Sequence, residues 1–561
     1  MDAIFLTLLI LCSSALGAIY ERFEDLPTQN YDFIIIGGGT AGNVLANRLT
    51  EDDHVSVLVL EAGRSTADVL LSEVPFFCLD ITPGTPWEWN FTTTEQPGLN
   101  GRSVPFPRGF GLGGSSAVNY MFYTRGSSQD YDRYAQISGD PGWGWEALQP
   151  YIQKNERFVP SSDHHNTTGQ FNPAVHGFNG INSVSLPGVQ RATDSRVIQT
   201  TSELLDDYPF NLDYNSGYQL GIGWTQYTIG NGTRSSSQTS YLGPMYIGRP
   251  NLHVLTHAYD AGATMHTLVP AGLKELILSA GSVGTPHILL HSGIGDKTEL
   301  KAIGITPTLH LPDVGKNLTD HTVLTISFFV NDTDTIENIY FRNATFQAEA
   351  LAEWRANRTG FLSTGISNQV GFLRVPEEAG ILDGDPCAGN ETAHYEFIFG
   401  NGILLDPPPP GNFFSIGIAD ICPLSRGNIT VNSTNPMDPP LINPNYFSHA
   451  QDLAIMQYAA ESAKKFVTAA VWDGYILGVT ANTTENDIRN GASSVFHPVG
   501  TASMSPAGAN WGVVNPDLKL KGAKGVRIVD ASILPLIPAA HTQVPVYLIA
   551  ERAADLIKAD I

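Results

Sequence analysis

The sequence predicts an α/β protein built on a parallel sheet, with a second domain of sheet and helices inserted into it. Three observations predict this. "FIIIGGGTAGNVLANRL", Phe33 to Leu49, runs from an apolar strand through three spaced glycines into an amphipathic helix pattern. A second apolar run, Val55 to Leu60, ends in Glu61. The chain has 561 residues, 42% of them hydrophobic, which is more than one core holds.

The glycines have separate tasks. Gly37 turns the chain out of its strand, Gly39 admits a pyrophosphate to the backbone, and Gly42 packs the helix on the sheet. Thr40 and Ala41 open the helix, whose free N–H groups suit an anion. Glu61, followed by Ala62, stands near the ~20-residue offset at which an acid binds a ribose hydroxyl. Together these form the G-x-G-x-x-G fingerprint of a Rossmann-like, dinucleotide-binding domain, which does not by itself separate NAD from FAD.

Charge narrows the partners. A net charge of -24 excludes binding to a phosphate backbone. At the start, "MDAIFLTLLILCSSALGA" has an apolar core from Ala3 to Cys12 and a small-x-small ending at Gly17, so residues 1–17 read as a signal peptide of a secreted, extracellular protein. That apolar core is too short for a membrane span of ~20 residues. Sequons at Asn90, Asn166, Asn231, Asn317, Asn331, Asn343, Asn357, Asn390, Asn428, Asn432 and Asn482 make it a candidate glycoprotein. Cys78, Cys387 and Cys422 give no metal spacing, and a Cys387–Cys422 bridge is left open. Pro407 to Pro410 reads as a stiff surface loop.

Further stretches carry a resemblance. "PRGFGLGGSSAVNYMFYTRG" (Pro107 to Gly126), "GSVGTPHILLHSGIG" (Gly281 to Gly295), "VGKNLTDH" (Val314 to His321), "SSVFHPVGTASMSP", "GVRIVDASILP" and "AAHTQVPVYLIAERAADLIKAD" resemble the glucose-methanol-choline (GMC) oxidoreductases over nearly the whole chain after about residue 28. The likeness is greatest to fungal aryl-alcohol oxidases, and the implied cofactor is FAD. It implies that residues 30–321 form a mainly FAD-binding region, 322–490 a substrate domain, and 491–561 a return to the FAD domain. It further implies FAD contacts at Arg108, Gly113, Ser116, Asn119, Tyr120, Met121, Phe122, Ala280, Asp530, Ala531, Thr542, Gln543 and Val544, beside those of the fingerprint. Val118 stands where some members carry a flavin-linked histidine, so non-covalent FAD is expected.

The resemblance makes His497 the base and His541 the holder of the alcohol oxygen. Imidazole suits proton abstraction because its pKa of ~6.5 lies near working pH, and a second imidazole can position the carbon for hydride transfer to flavin N5. Tyr120 and Phe496 match aromatics that narrow the access channel, whereas Asn401 to Pro407 offers Ile403 or Leu404 where a further aromatic is usual. The reading is a monomeric oxidase that turns aryl or unsaturated primary alcohols and O₂ into aldehyde and H₂O₂, the peroxide serving lignin attack. The alternatives are a hydroxynitrile lyase, a quinone-dependent dehydrogenase, and a catalytically impaired homologue. The last arises because residues 258–274 are shorter than the family's two strands there, which would bare a sheet edge and weaken FAD retention.

Overall fold

The computed structural model describes residues 19–259, 272–480 and 482–561, so the leader read at 1–17 and the centre of the short segment lie outside the described residues. Two sheets organise them. The first has six strands in the order Ile19–Tyr20, Leu252–Leu255, Val57–Leu60, Phe33–Ile36, Glu275–Leu278 and Val526–Ile528, each pair parallel. Parallel strands joined by crossovers need cover on both faces, hence their runs of Val, Ile and Leu. Successive strands depart in opposite directions from the pair Phe33–Ile36 and Glu275–Leu278. In an open α/β sheet a ligand crevice lies at that point.

The fingerprint helix, Thr40–Leu49, departs from the half-wet pattern of its sequence. Eight of its ten residues are buried, because the C-terminal helix Gln543–Ala559 packs along it in addition to the sheet. Its polar positions find internal partners: Asn43 Nδ2 donates to Ser237 Oγ at 3.0 Å and Asn47 Nδ2 to the Tyr241 carbonyl at 2.7 Å. At the sheet's edge, Ile19 pairs with Val254 and Tyr20 with Leu255. These two residues pair with the outer side of Leu252–Leu255.

The second sheet is antiparallel and has seven strands. Six run in the order Ile476–Val479, Thr322–Val330, Phe413–Asp420, Tyr395–Gly400, Gln369–Leu373 and Gly221–Trp224, and Ser493–Ser494 also pairs with Thr322–Val330. The Gly221–Trp224 strand comes from before residue 322, so the sheet draws chain from the region assigned to FAD. It satisfies the backbone groups that Gln369–Leu373 would otherwise leave open. Strand alternation then divides the work. Ile326, Phe328, Phe397, Phe414, Ile416 and Ile418 join the core that includes helix Ala450–Phe466, while Val323, Thr325, Ser327, Ile398, Ser415 and Gly417 line a cavity. Cys387 and Cys422 form a disulfide, and Cys78 is buried and free.

Candidate active site

A cavity of about 1130 Å³ runs from the crevice of the first sheet to the second sheet. Of the residues expected to touch FAD, Gly37, Gly39, Thr40, Ala41, Glu61, Ala62, Arg108, Ser116, Asn119, Tyr120, Met121, Phe122, Ala280, Asp530, Ala531, Thr542 and Gln543 line it. Gly42, Gly113 and Val544 stand behind the wall. Gly42 sits against the Gly37 carbonyl, where it lets the helix approach the strand. Gly113 makes the turn at φ +94° that starts the short helix Gly114–Ala117. Val544 is turned away in its helix, whose cavity face carries Gln543 and Val546, three apart.

The crevice fits a dinucleotide. Gly37 holds φ +105°, and its α-carbon lies so near the next strand that a Cβ would meet the Ser279 carbonyl. Gly39 at the N-cap of Thr40–Leu49 has no side chain to cap it, leaving backbone N–H groups for a phosphate. Glu61 is buried; Oε2 accepts from Gly38 N–H and Oε1 from Gly63 N–H, each at 2.8 Å, while burial raises its pKa against these donors. Ser279 Oγ and His287 Nε2 are buried cavity-lining atoms without a hydrogen-bond partner among the described residues, as expected of groups awaiting a polar ligand.

The other end gathers three histidines, two expected and one not. His497 and His541 face each other with ring centroids 4.7 Å apart, nearly perpendicular. His541 stacks on Phe122 at 4.6 Å and donates from Nε2 to Glu396 at 2.9 Å. His497 Nδ1 lies 3.0 Å from His321 Nδ1. The backbone is equally fixed. Asp320 Oδ1 accepts from His497 N–H at 2.7 Å, and Arg108 donates to the Phe496 carbonyl. Phe496 and Met121 both hold positive φ, +67° and +63°, a conformation that costs roughly 1–3 kcal/mol and persists where its surroundings enforce it.

Electrostatics separate the two expected histidines. Burial pushes the pKa of His497 well below 6.5, and His541, His321 and Arg108 push the same way. His497 is thus a neutral imidazole, able to accept a proton. His541 instead points its Nε2–H at a carboxylate. Such contrasting environments assign different roles to paired groups. Tyr120 and Phe496 line this end, as does the loop of Gly402, Ile403, Leu404 and Leu405, so aliphatic side chains occupy the place expected to lack an aromatic. Among the described residues, the cluster with metal-ligand spacing, Asp385, Cys387 and His394, has its sulfur in the disulfide.

With this geometry in view, the comparisons decide the family. The GMC oxidoreductase N-terminal model matches residues 31–263 and 260–323, and the C-terminal model matches 423–550. The chain belongs to the GMC oxidoreductase family. It is 41% identical over 595 positions to dehydrogenase eriK of Hericium erinaceus, covering 99% of this chain and 98% of that protein. It is 38% identical over 589 positions to a pyranose dehydrogenase of Agaricus xanthodermus, covering 97% and 96%. Among solved structures, an FAD-dependent oxidoreductase from Chaetomium thermophilum is similar at TM-score 0.83 and 27% identity, covering 95% of this chain and 99% of that one. A fungal aryl-alcohol oxidase is similar at TM-score 0.81 and 25% identity, covering 95% and 99%. The cofactor of this GMC chain is FAD, and its fold is the GMC fold. The N-terminal match breaks within the segment read as short, and both alignments exceed the 561 residues of this chain, so those relatives carry residues it lacks.

Two partners of the site escaped the sequence reading. Glu396 had a signal: an acid inside the apolar strand "YEFIFG", on the same face as the cavity-lining Ile398. His321 closed a quoted motif, but nothing local marked it as a neighbour of His497.

Proposed function

We propose that this GMC oxidoreductase oxidises primary alcohols bearing an aromatic or unsaturated group to aldehydes. The observation that carries the reading is the wall beside the histidines, where Leu79, Tyr120, Ile366, Ile398, Leu404 and Phe496 form an apolar lining. Such a surface favours a flat apolar group by about 25 cal/mol per Å² buried. His497 takes the hydroxyl proton, which its neutral state permits. His541, held by Glu396 and the Phe122 ring, keeps the alcohol oxygen in place and so fixes the reacting carbon. FAD, when bound, supplies the acceptor for the hydride leaving that carbon. Val118 offers no nucleophile, which supports dissociable FAD. The dehydrogenase names of the relatives favour an organic acceptor such as a quinone over the O₂ expected from sequence.

One observation supports a sugar instead. Thr325, Ser327 and Ser415 bring hydroxyls into the cavity, and pyranose dehydrogenases are among the relatives. Mixing holoenzyme without air against a benzylic alcohol, a dienol and glucose separates the readings by the rate of flavin bleaching. The proposal expects the first two to bleach faster. Bleaching by glucose alone replaces it with the sugar reading, and hydroxynitrile cleavage without bleaching by any alcohol replaces it with the lyase. Reoxidation by benzoquinone against air then identifies the acceptor.

Export belongs to the same proposal. Nine of the eleven sequon asparagines are exposed, and the disulfide suits an oxidising compartment. Asn317 stands apart, since its amide donates inward to Ser503 Oγ at 3.0 Å and to the Pro535 carbonyl at 2.9 Å. The mature chain is expected to begin near Ala18 and to lose apparent mass on deglycosylation. An intact Met1 terminus with no glycan shift overturns this.

A further inference from the structure

His497 can act as a base only through a ring nitrogen that carries a lone pair and faces the cavity. Its Nδ1 does not qualify, being 3.0 Å from His321 Nδ1 and therefore within a hydrogen bond. Both rings are neutral: burial depresses His497, and burial with the neighbouring His541 pushes His321 down to about 3. Two neutral imidazoles that meet Nδ1 to Nδ1 hold one hydrogen between them. This couples their tautomers.

If that hydrogen sits on His321, His497 Nδ1 is the acceptor and its remaining hydrogen is on Nε2. The ring then has no free lone pair and cannot take the alcohol proton. If it sits on His497, Nε2 of His497 is free and His321 carries its hydrogen on Nε2. Besides His497, the His321 ring meets the backbone carbonyl of Ile421, and its Nε2 is buried. Neighbouring groups hold the backbone on both sides of the contact: His497 N–H donates to Asp320, and Val495 N–H donates to the His321 carbonyl at 3.0 Å.

We propose that His321 is a positioning residue that fixes the tautomer of His497, accepting its Nδ1 hydrogen and so keeping Nε2 bare toward the cavity. This rests on the reading of His497 as the base. A second-layer group that orients a catalytic imidazole through its other nitrogen can matter as much as the base itself, because the wrong tautomer leaves the geometry intact and the chemistry blocked.

The test compares FAD-loaded parent, His321→Leu, His321→Asn and His497→Ala in anaerobic flavin reduction by a benzylic alcohol. His321→Leu removes the acceptor and is expected to slow reduction on the order of 10²-fold with little change in alcohol Kd. His321→Asn places an amide oxygen near the lost Nδ1 and is expected to recover most of the rate. A full rate in His321→Leu beside a slow His497→Ala overturns the tautomer role and leaves the base standing. A full rate in His497→Ala overturns the base reading itself. Should His321→Leu fail to retain FAD, ¹⁵N spectra of histidine-labelled parent, with the His497 signal identified by its absence from His497→Ala, decide the matter. A His497 ring protonated at Nδ1 supports the proposal, and one protonated at Nε2 overturns it.

Discussion

His497→Ala is expected to slow anaerobic flavin reduction by an aryl alcohol roughly 10²–10⁴-fold while FAD stays bound. The loss corresponds to about 3–5 kcal/mol of transition-state stabilisation. The separation between chemistry and binding follows from how the residue is held. Asp320 grips the backbone N–H of position 497 and Arg108 grips the carbonyl of Phe496, and neither bond needs the imidazole. Alanine therefore removes the base and leaves the loop. His541→Ala is also expected to slow reduction, with more of its loss in substrate binding, because that ring holds the alcohol oxygen. Reduction of the His497 variant at the parent rate sinks the assignment.

The same residue sets the acid limb of the pH profile. A base works in its unprotonated form, and burial with three nearby positive or protonatable groups lowers the pKa of His497 well below 6.5. The neutral ring thus persists as pH falls through 6.5. Reduction of bound flavin is expected to hold its rate there and to decline only at distinctly lower pH. A limb centred on 6.5 or above that vanishes in His497→Ala contradicts this environment.

How much of this was legible in the sequence depends on how far each interaction reaches. The strand Phe33–Ile36, the crevice glycines and Glu61 were readable because twenty-odd consecutive residues specify them through turn geometry and apolar runs. His497 and His541 were readable through their motifs. The pairing of His541 with Glu396 spans 145 residues and that of His321 with His497 spans 176, so no local pattern encodes either. The burial of Thr40–Leu49 on nearly all sides was hidden likewise, since the helix that covers it closes the chain some five hundred residues later. Gly221–Trp224 holds two glycines in four residues, which marks no strand locally, and it becomes an edge strand because Gln369–Leu373 offers it a ladder.

Two glycines of one fingerprint are expected to fail in different ways. At Gly42 an alanine Cβ would lie 2.0 Å from the Gly37 carbonyl oxygen and 3.2 Å from Ile35 Cγ2. Both neighbours are fixed, one as backbone and one as the side chain of a buried strand, so helix and sheet must move apart. Overpacking of this kind costs about 1–3 kcal/mol, and more where backbone must yield. Gly42→Ala is therefore expected to lower the melting temperature of the chain with or without FAD, and to weaken FAD binding because the helix N-terminus moves with it. At Gly39 the nearest atom to an added Cβ is Gly114 Cα at 3.7 Å, an ordinary contact, and φ is -90°. The protein alone accepts alanine there. The residue lines the crevice, so the methyl group instead occupies space that the pyrophosphate needs. Gly39→Ala is expected to leave the melting temperature of the FAD-free protein unchanged and to abolish the stabilisation that added FAD gives, since a ligand that binds only the folded state raises its stability by mass action. Thermal denaturation of both variants across a series of FAD concentrations checks the pair. An FAD-free Gly39→Ala protein that melts well below the parent would show that this glycine serves packing rather than the cofactor's approach.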